Sequence, residues 1–272
     1  MNDIIINNTK VKDNIVIKKF NDNIINLYNF FETVNFDNYP EIIDYDNDNI
    51  RYKYIDSKSY HERVKGEELI KTIANLHYKT LFYKDVSKND YKKIYDILEN
   101  NIIYLQKYYE DIINKIEDEV FMSPSNYYIA RNYSIIIESL KYAYDKLKKW
   151  YKIVENKLTQ RVCTVHNNLS FEHFIKGDKN YLISFDRAVV DTPILDLYKF
   201  YKKEGYKLPF NNLLEIYNNE LKLLEEEKIL FNILISLPPK IEKIDNEYYN
   251  ILNIKNNFDY IYASLKVIKE NK

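Results

Sequence analysis

The stretch "VHNNLSFEHFIKGDKNYLISFD", from Val165 to Asp186, decides how the chain is read. The run "RVCTVH" enters it and "YLISF" closes it. Both are β-branched or aromatic, so a strand is expected on each side of a polar loop. Inside the loop, His166 is followed two residues on by Asn168 and then Leu169. His173 comes five residues after Asn168, and Ser184 with Phe185 opens sixteen residues after it.

This cadence matches the phosphoryl-transfer motif H-x-D-L-x-x-x-N followed by D-F, with each acidic or amide position changed. That chemistry needs a carboxylate to orient the acceptor hydroxyl. It also needs hard oxygen ligands for Mg²⁺. Asn168 stands at the base position, where an amide can hydrogen-bond but cannot take a proton. Loss of a general base costs about 10²- to 10⁴-fold, which weakens an enzyme without abolishing it. Asn168 reads equally well as a turn residue in an Asn-rich chain. His173 and Ser184 stand at the two metal positions. Imidazole suits zinc or copper better than Mg²⁺, and no Cys pair or H-E-x-x-H accompanies His173. Ser184 lacks the charge that anchors a metal. If Ser184 and Asp186 share a strand they point the same way, and Asp186 becomes the remaining metal candidate. His166 reads as a brace for the loop backbone. Asp191 fits a helix cap ahead of Pro193, and Asp196 is placed to tie that helix to the loop.

The nucleotide side is sparse. A backbone that wraps phosphates closely needs glycine, and the chain has none before Gly66; Gly177 and Gly205 are the others. Lys18 in "IVIKKF" is the candidate phosphate-binding lysine. Glu32, near the end of the next helical run, is its candidate partner.

Bulk properties narrow the classes. The 272 residues suffice for a real core. With 46% hydrophobic and 30% charged residues the composition is that of a globular protein. A net charge of −1 gives no electrostatic case for a nucleic-acid or anionic-membrane partner. One cysteine, Cys163, excludes an intrachain disulfide and fits a reducing compartment. The opening "MNDIIINNTKVKD" does not read as a secretory signal, and no apolar run has transmembrane length. A cytoplasmic, soluble protein is expected.

Along the chain, "IIINNTKVKDNIVIKKF" suggests a hairpin turning within "NNTKVKDN". A helix through Ile24, Leu27, Phe30 or Phe31, and Val34 follows. "EIIDYDNDNIRYKYID" suggests two short strands. A helix through Leu69, Ile73, Leu76 and His77 comes next, then a long helical tract from about residue 90 to 158, broken near Pro124. Pro193 marks the start of a helix through Leu197 and Phe200. The rest reads as helical hairpins punctuated by "SLPPK". The expected architecture is α+β and bilobal. A small, shortened, strand-containing N-lobe spans residues 1–56, and a large, mostly helical C-lobe spans residues 57–272.

Taken together, "VHNNLSFEHFI", "YLISFDRAVVDTPILDLYKFY", "RYKYID" and "ELIKTIANLHYKT" resemble the aminoglycoside phosphotransferase and choline kinase-like superfamily. The nearest look is its bacterial spore-coat kinase-like branch, whose late F-P-x-K-F-like turn "SLPPKI" echoes. The resemblance implies a protein-kinase-like fold, ATP with Mg²⁺, and transfer to a hydroxyl of a small molecule. Its base position falls on Asn168, its metal positions on His173 and Ser184, the second acid of its I-D-F-D segment on Asp186, and its strand lysine on Lys18. Three readings follow. The first is a pseudokinase, a scaffold or binding protein for an unknown protein or small-molecule partner, with no cofactor expected. The second is a residual ATP- and Mg-dependent phosphotransferase. The third is an unrelated helical binding protein whose motif is chance.

Overall fold

The computed structural model describes residues 4–6, 9–242 and 244–270, with side chains from Lys10 onward except Lys12. In chain order the strands and helices are β1 (Ile4–Ile6), β2 (Thr9–Lys12), β3 (Ile15–Lys19), α1 (Asp22–Thr33), β4 (Ile42–Tyr45) and β5 (Asn49–Lys53). Then come α2 (Glu62–Lys79), β6 (Phe82–Asp85), α3 (Lys88–Glu117), α4 (Pro124–Val154) and β7 (Thr159–Val165). The remainder is β8 (Phe174–Lys176), β9 (Asn180–Leu182), β10 (Val189–Asp191), α5 (Ile194–Lys203), α6 (Phe210–Glu220), α7 (Glu225–Ser236) and α8 (Glu247–Glu270). The fold is α+β, with a small strand-containing N-terminal part and a larger helical part.

The chain forms two compact units. One comprises Met1–Phe82, Val162–Phe200 and Asn212–Lys222; the other comprises Tyr83–Arg161, Tyr201–Asn211 and Leu223–Lys272. The first unit carries a five-stranded sheet in the order β1-β2-β3-β5-β4. The expected hairpin is a three-strand meander instead. β2 occupies Thr9–Lys12, inside the stretch read as a turn, and pairs with β3 from Lys12↔Ile15 outward. The reversal is made by Asp13 and Asn14, with φ of 50° and 60°. A two-residue loop with both φ positive matches strand twist, and Asp and Asn accept that backbone without glycine. Asn7 and Asn8, also read as turn, lie outside the described residues.

Helix α1 starts at an Asn21 cap, whose side chain accepts from the Asn23 amide at 3.0 Å. It buries Ile24, Tyr28 and Phe31. Phe31 is fully buried, with its ring 5.1 Å from Phe36 and 5.2 Å from Phe185. Helix α2 buries Leu69, Ile73, Leu76 and His77, the stripe expected from the sequence. Two antiparallel pairings complete this unit, β10 with β7 (Val189↔Val165) and the β8–β9 hairpin (Phe174↔Leu182).

The second unit is built on the long helices α3 and α4 with α7 and α8. The tract breaks where expected: Ser123 caps α4, accepting from the Asn126 amide at 3.3 Å, and Pro124 takes the first helical turn. Trp150 of α4 packs edge-on against Tyr91 of α3. The buried Ser139 hydroxyl donates to the Ser236 carbonyl at 2.6 Å. Among the described residues no helix is long and apolar enough to cross a membrane.

Candidate functional site

The loop between β7 and β8 is fixed by one buried carboxylate. Asp196, in the first turn of α5, is fully buried. Its Oδ2 accepts from the His166 amide at 2.6 Å and its Oδ1 from the Asn167 amide at 2.7 Å. His77 Nε2 lies 3.1 Å from Oδ2, and His77 Nδ1 lies 2.8 Å from the Tyr217 hydroxyl. Burial alone would push the Asp196 carboxyl up. The hydrogen bond and charge of His77, the charge of His166 and the His166 amide outweigh that, and the carboxyl is held below its ordinary range. Asp196 therefore ties α5 to the loop backbone, as its place in the sequence suggested. Asp191 ends β10 and accepts from the Thr192 amide at 2.7 Å, so it does not cap α5 as expected; the Thr192 carbonyl accepts from the Leu195 amide there instead.

Asn167 makes the loop's sharpest turn at φ 62°. Its amide group donates to the Arg187 carbonyl at 2.8 Å, and its carbonyl accepts from Lys199 Nζ at 3.0 Å. Asn167 stands outside the motif positions. The usable signal was an Asn-Asn pair where a non-glycine chain must turn with positive φ.

His166 is fully buried. Its Nε2 donates to the Ile183 carbonyl at 2.8 Å, while Nδ1 has no hydrogen-bond partner among the described residues. Burial pulls its pKa below the ordinary value, against opposing pulls from Asp196 and the Ile183 carbonyl. The unfolded imidazole takes a proton near pH ~6.5, and the folded ring resists it. Stability is thus expected to fall as pH drops from about 6.5 toward the folded pKa. His166→Gln, which keeps a donor for Ile183, is expected to flatten that slope in denaturant midpoints measured between pH 7 and pH 5.

His173 ends a short 3₁₀ turn, Phe171–His173. Its Nδ1 is 2.7 Å from the Asn168 carbonyl and 3.0 Å from Ser170 Oγ. A carbonyl only accepts, so Nδ1 carries the proton. The Asn168 contact is thus made by its main chain. The His166 and His173 rings lie 5.7 Å apart.

The strand expected to carry both Ser184 and Asp186 stops at Leu182. Ser184 takes a left-handed backbone, φ 65° and ψ 53°, and Phe185–Arg187 form a 3₁₀ turn. The alternation that would align Ser184 with Asp186 is therefore absent. The two residues nonetheless line one cavity with Lys18. Lys18 Nζ donates to Ser184 Oγ at 2.9 Å. Burial lowers the Lys18 pKa, partly offset by the Asp186 charge. Asp186 is exposed and accepts no hydrogen bond from the described residues. Glu32, the candidate partner of Lys18, lines a different hollow with Asp37, Tyr39 and Lys179.

The Lys18 cavity has a volume of about 90 Å³ and is mostly apolar, with Val16, Ile24, Tyr28, Tyr52 and Ile183 in its walls. Burial raises the Tyr28 and Tyr52 hydroxyl pKa values, so both stay neutral. The sequence did not mark either tyrosine, because 28 tyrosines dilute any signal from one. Gly177 matters for packing beside the cavity: a Cβ there would come within 2.8 Å of Ile55 Cγ2 and 3.3 Å of the Asp56 carbonyl. Gly177→Ala is expected to displace Ile55, a wall residue, and to lower the melting temperature by a few degrees. For Lys18, folding favours the neutral amine. Its contribution to stability should rise with pH up to about 10.4, the ordinary lysine value. Lys18→Met should remove that rise, which the difference between the two proteins' urea midpoints from pH 7 to 10 would reveal.

No protein-family model and no curated protein sequence matches the chain. Solved structures do. The aminoglycoside phosphotransferase of Alicyclobacillus acidocaldarius is similar at a TM-score of 0.70 and 7% identity, over 100% of this chain and 92% of that one. A glucosamine kinase in complex with glucosamine, ADP and inorganic phosphate is similar at a TM-score of 0.53 and 10% identity, over 97% of this chain and 78% of that one. At such identities the likeness is one of fold. The α+β chain with its loop between β7 and β8 thus has the kinase-like fold of the aminoglycoside phosphotransferases.

Proposed function

We propose that the chain is a kinase-fold protein that has lost phosphoryl transfer and acts as a pseudokinase, a scaffold or binding protein. The observation that carries this reading is the hydrogen bond from Lys18 to Ser184. The lysine that would meet phosphate oxygens is held by a neutral hydroxyl, at the position where a metal-binding carboxylate would stand. The residues at the motif positions do not suit Mg²⁺, which takes hard oxygen ligands in near-octahedral geometry. Asp186 is the one carboxylate among them, and the His173 Nδ1 proton is turned to a main-chain carbonyl. Among the described residues no group of three or more His, Cys, Asp or Glu side chains is arranged to hold a metal. This reading requires neither ATP nor Mg²⁺. It keeps residues 1–56 and 57–272 as the two lobes, a cytoplasmic location, and a place near the spore-coat kinase-like branch.

One observation favours a second reading. Asp186 shares the cavity with Lys18 and acts on its charge. A residual small-molecule phosphotransferase would use that carboxylate. The test is ADP formation from ATP with Mg²⁺ or Mn²⁺ in the presence of glucosamine, choline or an aminoglycoside. The pseudokinase reading predicts no turnover above the level of Asp186→Ala. Metal-dependent turnover that Asp186→Ala abolishes establishes the second reading instead.

A further inference from the structure

The second unit carries an unpartnered aromatic surface. The segment joining α3 to α4 presents Val120 at 89% and Phe121 at 90% exposure, followed by exposed Met122 and Tyr127. The first turn of α8 adds Tyr248 and Tyr249, exposed at 67% and 56%. These two stretches are held together. Ser125 donates to Glu247 twice, through its amide at 2.6 Å and its hydroxyl at 3.0 Å. Asn126 Nδ2 donates to both Glu119 oxygens, at 2.6 and 2.7 Å. The Asn250 side chain both accepts from the Ile244 amide and donates to its carbonyl at 2.7 Å, pinning the approach to α8. The aromatic rings are therefore displayed on a fixed backbone, which lowers the ordering cost of binding.

The size is also informative. Whole aromatic side chains present roughly 150–250 Å² each. Phe121, Tyr127, Tyr248 and Tyr249 are each more than half exposed. With Val120 and Met122 the surface approaches the roughly 800 Å² per partner of a standard interface, above the ~300–600 Å² of the largest patch on an ordinary monomer. Its border is acidic. Glu117, Asp118, Glu119, Glu242 and Asp245 are exposed around it, and Glu247 is half-buried. Among the described residues, the nearby exposed cations are Lys115, Arg131, Lys240 and Lys255, fewer than these carboxylates.

We propose that this surface docks a segment of a protein partner that is apolar at its centre and rich in Lys or Arg at its edges. Complementary charge sets the choice. An acidic border repels an anionic lipid surface, and it repels the same border on a second copy of this chain. The proposal uses no residue of the Lys18 cavity and holds whether or not the chain transfers phosphate.

The test selects a random-peptide display library on the intact protein and measures each enriched peptide by fluorescence anisotropy against the protein and a Phe121→Ser/Tyr248→Ser variant. Both side chains are exposed, and an unchanged circular-dichroism melt confirms that the variant folds. The expected result is enriched peptides combining Lys or Arg with aromatic or aliphatic residues. They should bind the variant at least about tenfold more weakly, as truncated interface anchors do, and more weakly as salt rises. Acidic peptides, or none that discriminate the variant, overturn the proposal. So does Phe121-dependent dimerisation in sedimentation equilibrium, which assigns the surface to a second copy. Phe121-dependent binding to phosphatidylserine vesicles overturns it in favour of a membrane.

Discussion

Asp196→Ala is expected to destabilise the protein by about 3–5 kcal/mol, lowering the melting temperature by on the order of 10 °C. The carboxylate is fully buried and takes three donors, the amides of His166 and Asn167 and the His77 ring. Alanine leaves all three without an acceptor where water cannot replace it. Asp196→Asn retains one acceptor oxygen and should recover part of the loss. The wild-type contribution also has a pH signature. The folded carboxyl titrates below its ordinary value, so its stabilisation is complete above about pH 4 and fades as pH falls through the folded pKa. Urea midpoints of the two variants and the wild type at pH 7 check the order. A loss of under about 1 kcal/mol for Asp196→Ala would contradict the role given to this carboxylate.

The second large effect concerns the other unit. Arg161 and Glu227 form a buried, two-pronged ion pair, with Arg161 Nε donating to Glu227 Oε1 at 2.8 Å and a second bond from Nη2 to Oε2. Glu227 also accepts from the Leu224 amide at 2.8 Å, which closes the start of α7. Glu227→Leu strands a buried guanidinium and is expected to cost about 3–5 kcal/mol. Arg161→Met strands a buried carboxylate at similar cost. Combining the two removes both charges, and much of the loss should return, since a buried pair often gains little over an apolar replacement. The return should be incomplete because the Leu224 amide still lacks its acceptor. Chemical denaturation of the three variants forms the double-mutant cycle. Equal losses in the single and double variants would contradict this account.

Much of the architecture was legible because its signals are local. The helical spacing of Leu69, Ile73, Leu76 and His77 survives tertiary packing unchanged, and so do Pro124 and Pro193 at helix starts. The loop motif was legible as a frame, and the tie from Asp196 could be read from its place in "DTPILDLYKFY". The misread turns share one cause. Asn167 and Ser184 adopt positive φ in place of glycine, as do Asp13 and Asn14 within the stretch where a turn was expected, and a sequence with so few glycines hides its reversals among its asparagines. Ser184 shows this best: "YLISF" has strand composition, yet the backbone turns left-handed at the serine. That turn accompanies the contact with Lys18, which pattern alone does not reveal. Tyr28 and Tyr52 were illegible for a different reason, since only the folded chain shows which tyrosines line a cavity.

The most direct test of the central claim, that the kinase frame no longer handles its nucleotide, is the melting temperature in millimolar ATP with and without Mg²⁺. A ligand at about one hundred times its dissociation constant stabilises the native state by about 2.7 kcal/mol, a shift of several degrees for a chain of this size. No resolvable shift is expected with or without the metal. A rise of several degrees that requires Mg²⁺ and disappears in Asp186→Ala would contradict it.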